Sequence, residues 1–263
     1  MKKGFTLAEV LVTLGIIGVV SALTVPTLMK NHQRKVYVTQ LRKSISVLEQ
    51  GFQMMLNDSN TDSLSETEVF STIGGQSCIA TSGPNSSSCK AFLQSLTKYF
   101  QVLTIGTTGE YKYSYIRSGS TPIYPDGTKT SAKMILKDGT MLFRFNVKRV
   151  AETPKHDCDT IRNAGGSVCS IIGHFSIDVN GEQKPNIEGR DIFNFNITDD
   201  GRVIPFYGFQ QAVYIDGVAN GSSYWKNATK ACGTPGKNDV SSVAQYGSGC
   251  AARIMESGWE MDY

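Results

Sequence analysis

Two hydrophobic patterns with different periods follow each other in the N-terminal part of the chain. From Phe5 to Val25 almost every residue is apolar, and Glu9 is the one charged residue in that run. A helix of these 21 residues is about 31 Å long, which matches the hydrocarbon core of a bilayer. The pattern predicts a transmembrane helix, and Lys2 and Lys3 predict that its start lies in the cytoplasm.

The second pattern predicts that the same helix continues as an amphipathic helix. Between residues 38 and 55 apolar side chains recur every three or four positions, which places them on one face. This apolar stripe comprises Val38, Leu41, Ile45, Leu48, Phe52 and Met55. We expect one helix with an apolar first half, residues 5–27, and a second half, residues 28–57, that packs on a globular domain. Turn-forming residues at 57–60 predict its end.

The remaining sequence predicts a connecting region followed by an antiparallel β-sheet. Residues 58–133 are mostly polar and rich in Gly and Ser at their start, with one short helix predicted at 88–102. From residue 134 the chain has strand character, and Asp138-Gly139 and Asp199–Gly201 predict hairpin turns. We therefore expect at least four strands within 134–263, and an α+β fold.

Charge and motifs argue against nucleic-acid binding and against the common enzyme classes. The formal net charge of +3 is small, and Lys2 and Lys3 supply two of these charges. The net charge therefore gives no indication of the basic surface that nucleic-acid binding requires. The sequence contains no G-x-S-x-G, H-E-x-x-H, P-loop or dinucleotide-binding motif. We expect no enzymatic activity and no required cofactor.

Six cysteines predict three disulfides. They form local pairs separated by 11, 11 and 18 positions, namely Cys78 with Cys89, Cys158 with Cys169, and Cys232 with Cys250. In an exported chain we expect these pairs to be oxidised in sequence order, although other pairings exist. For the middle pair a zinc site with His156 and His174 is the alternative, but its spacing fits no common zinc module.

One further segment resembles the start of a calcium-binding loop. Asp178 and Asn180 alternate as oxygen donors before Gly181, and Asp191 follows nearby and could close a cage. The glutamate expected at the twelfth loop position is absent, because residue 189 is Gly. The alternative is an Asx turn without a metal ion.

The residues Lys3-Gly4-Phe5-Thr6-Leu7-Ala8-Glu9 resemble the leader junction of type IV prepilins and type II secretion pseudopilins. In that family a membrane prepilin peptidase cuts after the glycine and methylates the new amino terminus. The resemblance implies a leader of residues 1–4, cleavage between Gly4 and Phe5, and N-methylation of Phe5. It also places a helix kink at Pro26, where the family often carries proline.

Glu9 separates this interpretation from two alternatives, a secretory signal cut after Ala22 and a plain membrane anchor. Both leave Glu9 unexplained, since an acid within a membrane span costs about 2.5–3.5 kcal/mol. We expect no partner for Glu9 within its own helix. The resemblance implies instead that Glu9 forms an assembly salt bridge with the Phe5 amino group of the neighbouring subunit.

The resemblance also implies a pilin-like ladle, in which a long N-terminal helix packs on a C-terminal antiparallel sheet with disulfide-stapled loops. It implies a single-pass protein of the bacterial inner membrane that prepilin peptidase and an assembly platform convert into a filament with other pilins or pseudopilins. Major pseudopilins carry calcium in their C-terminal β region. Whether the filament is a type IV pilus or a type II secretion pseudopilus stays open. The alternative is a membrane-anchored binding or adhesin domain that never polymerises.

Overall fold

The computed structural model describes residues 6–73, 87–106, 115–116, 122–123, 132–147, 171–205, 232, 247 and 249–263. The chain divides into two compact units, Met1–Val36 and Tyr37–Tyr263, and the core described below belongs to the second unit. Several residues with predicted roles lie outside the described residues: Gly4, Phe5, Cys78, His156, Cys158 and Cys169.

The described helices begin with a long one. Helix α1 runs from Leu7 to Ser59, which confirms the long N-terminal helix. A turn of 3-10 helix at Leu64–Glu66 and helix α2, Glu68–Ile73, follow it. Helix α3 covers Ser87–Leu96, and helix α4 covers Cys250–Glu256.

The main β-sheet has six antiparallel strands in the order β1-β4-β5-β6-β7-β8. Its strands are β1 (Val102–Gly106), β4 (Lys133–Leu136), β5 (Met141–Val147), β6 (Ile171–Asp178), β7 (Ile192–Thr198) and β8 (Val203–Pro205). A separate two-stranded ladder joins β2 (Tyr115–Ile116) to β3 (Pro122–Ile123). The long helix and this sheet confirm the α+β, pilin-like class.

Both predicted hairpins are present, and a glycine with positive φ lies in each turn. Gly139 between β4 and β5 has φ +91°, and Gly201 between β7 and β8 has φ +80°. Glycine adopts this region without the steric cost that a Cβ atom imposes. The glycines in the sequence therefore predict the positions of these hairpins, because the turns require a residue with positive φ.

The core forms where the apolar stripe of α1 packs against the sheet. All six residues of the predicted stripe are buried, and they share one cluster with residues of β4 to β8. A series of aromatic rings connects helix to sheet: Phe52–Phe70, Phe52–Phe100, Phe70–Phe92, Phe92–Phe145, Phe145–Phe175 and Phe175–Phe195, with centroids 5.6–6.2 Å apart. Such pairs contribute about 0.5–1.5 kcal/mol each beyond the burial of their area.

A β-bulge in β5 decides which side chains reach this core. The register with β6 shifts between Phe143 and Asn146, and Arg144 lies there with φ +58°. Leu142 and Phe145 both belong to the main core, although strict alternation would place them on opposite faces. The bulge adds one residue to β5, and this extra residue returns Phe145 to the face of the sheet on which Leu142 lies.

Polar side chains of α1 hold it to the turns of both hairpins. At the β4–β5 turn, Lys43 Nζ lies 3.1 Å from Asp138 Oδ2, and the Ser44 and Thr140 hydroxyls are 3.0 Å apart. At the β7–β8 turn, the partners are Gln53 Nε2 with the Asp200 carbonyl (2.9 Å) and Val203 N–H with Glu49 Oε1 (3.1 Å). These bonds fix the position of the helix along the sheet, which apolar contacts alone leave loosely defined.

The C-terminal region is held by a disulfide and by its last residues. Cys232 and Cys250 form the predicted disulfide. Cys89 is also disulfide-bonded, but its predicted partner is not among the described residues. Trp259 packs against the core beneath the Arg42 guanidinium, which lies 5.5 Å from the ring centroid. The C-terminal tail therefore packs back on the domain.

Three features of the secondary structure differ from the sequence-based expectation. The helix predicted at 88–102 ends at Leu96, and the chain then turns into β1, which pairs with β4. The sheet thus begins inside the region 58–133 that was expected to be a connector. The region 134–263, expected to hold strands and a loop, also contains α4. Short apolar runs are ambiguous by pattern, and pairing with a strand further along the chain decides them.

Gly51 provides a test of this helix–domain packing. A Cβ atom at residue 51 would lie 2.0 Å from Cε1 and 2.5 Å from Cζ of the buried Phe100 ring. Gly51→Ala should destabilise the domain by about 1–3 kcal/mol through overpacking. This cost exceeds the gain in helix propensity, which is about 1 kcal/mol or less.

The measurement is urea unfolding of the full-length protein in detergent, followed by circular dichroism. Gly18→Ala is the matched control, because a Cβ atom there would meet nothing within 4 Å. A Gly51→Ala midpoint equal to or above that of the unaltered protein would contradict the packing described here.

Candidate membrane-spanning and assembly segment

The first part of α1 exposes a continuous apolar surface. Its most apolar 18-residue window has a mean hydropathy of 2.1, and none of it is buried. Large exposed side chains include Leu7 (78% exposed), Leu14, Ile17, Leu23 and Leu28. Exposed apolar patches of this extent mark sites of membrane or protein contact. By length and composition, the helix can cross a membrane.

Glu9 has a partner within its own helix, and this corrects the expectation from the sequence. The Thr6 N–H and the Thr6 hydroxyl both donate to Glu9 Oε2, each at 2.8 Å. The Glu9 N–H in turn donates to Thr6 Oγ1 at 3.3 Å. This is a capping box, in which residues three apart satisfy the N–H groups that the first helical turn leaves unpaired.

The capping box uses one of the two carboxylate oxygens. Both donors from Thr6 go to Oε2, and Oε1 of Glu9 accepts no hydrogen bond from the residues that the structure describes. The capping box therefore leaves a negatively charged oxygen at the start of the helix for a donor from outside. Sequence reasoning missed Thr6, although the pattern Thr-x-x-Glu before an apolar run was a readable signal.

Pro26 lies inside α1, at the position where the sequence places it. Because proline has no N–H group, the carbonyl four residues earlier receives no helical hydrogen bond from it. Gly15 and Gly18 lie in open space, where a Cβ atom would meet nothing within 4 Å. Packing against the described residues therefore requires neither glycine. The kink at Pro26 stays a prediction.

The two ends of the predicted calcium loop lie side by side, because the Val179 N–H donates to the Asp191 carbonyl at 2.9 Å. Asp178 Oδ1 accepts the Asn180 N–H at 3.1 Å, which is an Asx turn. Asp191 accepts the N–H groups of Asn186 at 2.8 Å and of Ile187 at 2.6 Å. Burial raises the pKa of Asp191, and these two backbone bonds oppose the rise. The Asp191 carboxylate thus holds the loop before β7.

The zinc alternative has one described member. His174 lies on β6 opposite Asn146 and Asn196, while the other three proposed ligands fall outside the described residues. Within the described part of the chain, no three or more His, Cys, Asp or Glu side chains are grouped so that they could hold a metal ion.

A buried acid that no sequence pattern indicated joins the same loop to the sheet. Glu188 is 2% exposed, and its Oε1 accepts a hydrogen bond from Asn194 Nδ2 on β7. The Arg144 guanidinium of the β5 bulge lies 3.9 Å from Glu188 Oε2. Burial raises the pKa of Glu188, while Arg144 and Asn194 counteract that rise. The bulge therefore has a second consequence, since it aims Arg144 at this carboxylate.

Comparison with known proteins gives one match. Residues 1–25 match a family model described as the prokaryotic N-terminal methylation motif. Among curated proteins nothing matches, and no solved structure matches either. The chain therefore carries the prepilin-type cleavage and methylation signature at its N-terminus. The match covers 25 of the 263 residues, so the folded domain is interpreted from its own structure.

The geometry of the loop at 178–191 makes a prediction about calcium. Backbone amide groups already donate to Asp178 Oδ1 and to both carboxylate oxygens of Asp191, so these oxygens are engaged within the protein. We expect calcium to leave the melting temperature of the full-length protein in detergent unchanged relative to EDTA.

Differential scanning fluorimetry across a calcium titration checks this, with magnesium as the control cation. A saturable rise specific to calcium would contradict the Asx-turn interpretation. It would then point to Asn180 Oδ1 as a ligand, because this buried atom accepts no hydrogen bond from the described part of the chain.

Proposed function

We propose that this chain is a prepilin-like subunit that is processed at Gly4–Phe5 and assembles into a filament anchored in the bacterial inner membrane. The observation that carries the proposal is the methylation motif at residues 1–25, in register with an apolar helix that exposes its side chains. Its role is structural, and the assembly step involves no catalysis by the subunit.

The Glu9 carboxylate supports a specific assembly contact. Cleavage by prepilin peptidase frees the amino group of Phe5, and Glu9 pairs with the Phe5 amine of an adjacent copy. In the unassembled chain the Thr6 capping box partly satisfies Glu9, while Oε1 stays available. Within a filament interior, an unpaired carboxylate or amine is costly to bury, whereas the pair offsets that cost. The contact therefore sets the register between subunits.

The exposed apolar surface of α1 supports both stages of this process. Each large side chain on it gains about 1.5–3 kcal/mol when it leaves water. Lipid covers this surface before assembly, and the equivalent helices of neighbouring subunits cover it in the filament. The same residues therefore serve as membrane anchor and as assembly interface, which explains why the segment has no polar face.

The disulfide supports an orientation with the domain outside the cytoplasm. Disulfides such as Cys232–Cys250 form and persist in oxidising compartments. Lys2 and Lys3 are consistent with a cytoplasmic start, but more Lys and Arg residues follow the apolar segment than precede it. Large domains are translocated largely regardless of such charges. We therefore base the orientation on the disulfide.

Two filament types fit the proposal equally well. A short type II secretion pseudopilus and a long type IV pilus both require prepilin peptidase and an inner-membrane assembly platform. Other pilins or pseudopilins are partners in each. A membrane-anchored binding or adhesin domain that does not polymerise is the competing function, and it requires neither cleavage nor Glu9.

N-terminal mass spectrometry of the membrane-extracted protein tests processing. We expect the mature chain to begin with N-methylated Phe5, because the motif places the cut after Gly4. Gly4→Val should retain Met1, since a branched side chain replaces the glycine at the cut. An intact Met1 in the unaltered protein, or a cut after Ala22, would contradict the proposal.

Substitutions at Glu9 and Thr6 separate charge pairing from helix capping. Glu9→Gln keeps a side chain that can accept the Thr6 donors but removes the charge. Filament yield should fall about tenfold or more, because the neighbouring amine is left buried without its counter-charge. Thr6→Val removes the hydroxyl and keeps the Glu9 charge, so assembly should stay close to normal.

Yield is measured as sheared filaments per processed subunit, so that a processing defect is scored separately. The opposite ranking, with Thr6→Val defective and Glu9→Gln normal, would show that Glu9 acts as a helix cap and not as an assembly charge.

A further inference from the structure

A short basic segment follows the apolar part of α1 directly. Between Lys30 and Lys35 the helix carries Lys30, Arg34 and Lys35, with His32 among them, and we call this segment the basic collar. No Asp or Glu occurs between Glu9 and Glu49. The collar is therefore a region of one sign of charge, within the first compact unit of the chain.

The spacing along the helix places the collar at the level of lipid headgroups. Leu7 to Met29 is 23 residues, so that segment is about 35 Å long. With a moderate tilt it spans a hydrocarbon core of about 30 Å. From Lys30 to Lys35 the helix rises about 7.5 Å. The headgroup region on each side of a bilayer is about 5–7 Å thick, which matches that rise.

The cations are also spread around the helix. At about 100° per residue, Arg34 lies about 40° and Lys35 about 140° from Lys30 around the axis. A single stripe would favour a partner docked on one side of the helix. A spread of this kind favours a partner that surrounds the helix, as the headgroup layer does.

Contacts within the domain distinguish the next cations of α1 from Lys30 and Arg34. Arg42 lies over Trp259, and Lys43 pairs with Asp138, so both are engaged within the domain. Lys30 and Arg34 form no ion pair with any residue that the structure describes. A second copy of the same helix segment would bring further cations toward the collar, because residues 10–48 contain no acid.

We propose that the basic collar binds the phosphate groups of anionic phospholipids at the membrane face beyond the apolar segment. Arg34 suits phosphate through paired N–H donors, and the lysines contribute mobile point charges. The inference rests on the membrane-spanning segment of the proposed function but is independent of filament assembly. It assigns a lipid preference to the unassembled subunit.

The test measures lipid selectivity of the full-length chain in phosphatidylcholine vesicles, with insertion verified by flotation. Electron paramagnetic resonance quantifies how much spin-labelled phosphatidylglycerol and spin-labelled phosphatidylcholine is motionally restricted by the protein. Each cation near an anionic surface contributes about a fivefold preference. Lys30→Gln/Arg34→Gln/Lys35→Gln should therefore lower the preference for phosphatidylglycerol about fivefold or more. About 0.5 M salt should lower it in the unaltered protein as well.

Two control variants make the result specific. Lys90→Gln/Lys137→Gln/Lys184→Gln removes three charges at exposed positions of the domain and should leave the preference unchanged. Lys30→Arg/Lys35→Arg keeps the collar charge and should keep the preference. Unaltered selectivity in the triple collar variant would overturn the proposal, and so would an equal loss in the domain control.

Failure of the chain to insert would overturn the proposal too, because the collar would then have no headgroup layer to reach. Reduced filament yield with unchanged lipid selectivity would show that the collar contacts an acidic protein surface instead. The vesicle assay uses unassembled protein, so failure of filament assembly would leave its result standing.

Discussion

The packing of the apolar stripe of α1 against the sheet is the interaction on which the folded domain depends. Phe52 lies at its centre and contacts the rings of Phe70 and Phe100 from two other parts of the chain. The hairpin turns then fix the helix along its axis through Lys43 and Gln53. Tyr37 is the first buried residue of α1, and the core cluster of the described residues contains none of the α1 residues before it. In the proposed function these residues contact lipid or another subunit.

The same helix thus carries two kinds of surface with different physical requirements. The stripe is narrow and has polar neighbours, since one face meets the domain and the other meets water. The segment before it is apolar on all sides, as a helix surrounded by lipid requires. Glu9 and the basic collar mark the two ends of that apolar segment. Their charges lie where a membrane boundary or a neighbouring subunit can neutralise them.

The sequence predicted those parts of the structure that depend on local patterns. The stripe from Val38 to Met55, the two glycine turns and the Cys232–Cys250 disulfide all follow from spacing or residue type. Strand β1 and helix α4 did not follow, because short segments take their conformation from partners distant in sequence. The β5 bulge was equally unpredictable, since the alternation it interrupts gives no sign of an extra residue.

The same division holds for the candidate site. The methylation motif and the apolar helix could be predicted from the sequence, because both are continuous segments of the chain. The Glu9–Thr6 contact is local as well, and the Thr-x-x-Glu pattern is sufficient to predict it. The ion pair between Glu188 and Arg144 could not be predicted, since the bulge and the loop before β7 bring the two residues together.

If the chain assembles as proposed, the Thr6–Glu9 capping box has a consequence for the order in which the contacts of Glu9 form. Since Thr6 occupies Oε2 and leaves Oε1, an incoming amine can bind Glu9 before any existing hydrogen bond breaks. The carboxylate then passes from one partner to two without an intermediate in which it is buried alone. In the proposed assembly step, the amine of a neighbouring subunit can therefore meet Glu9 without first displacing Thr6.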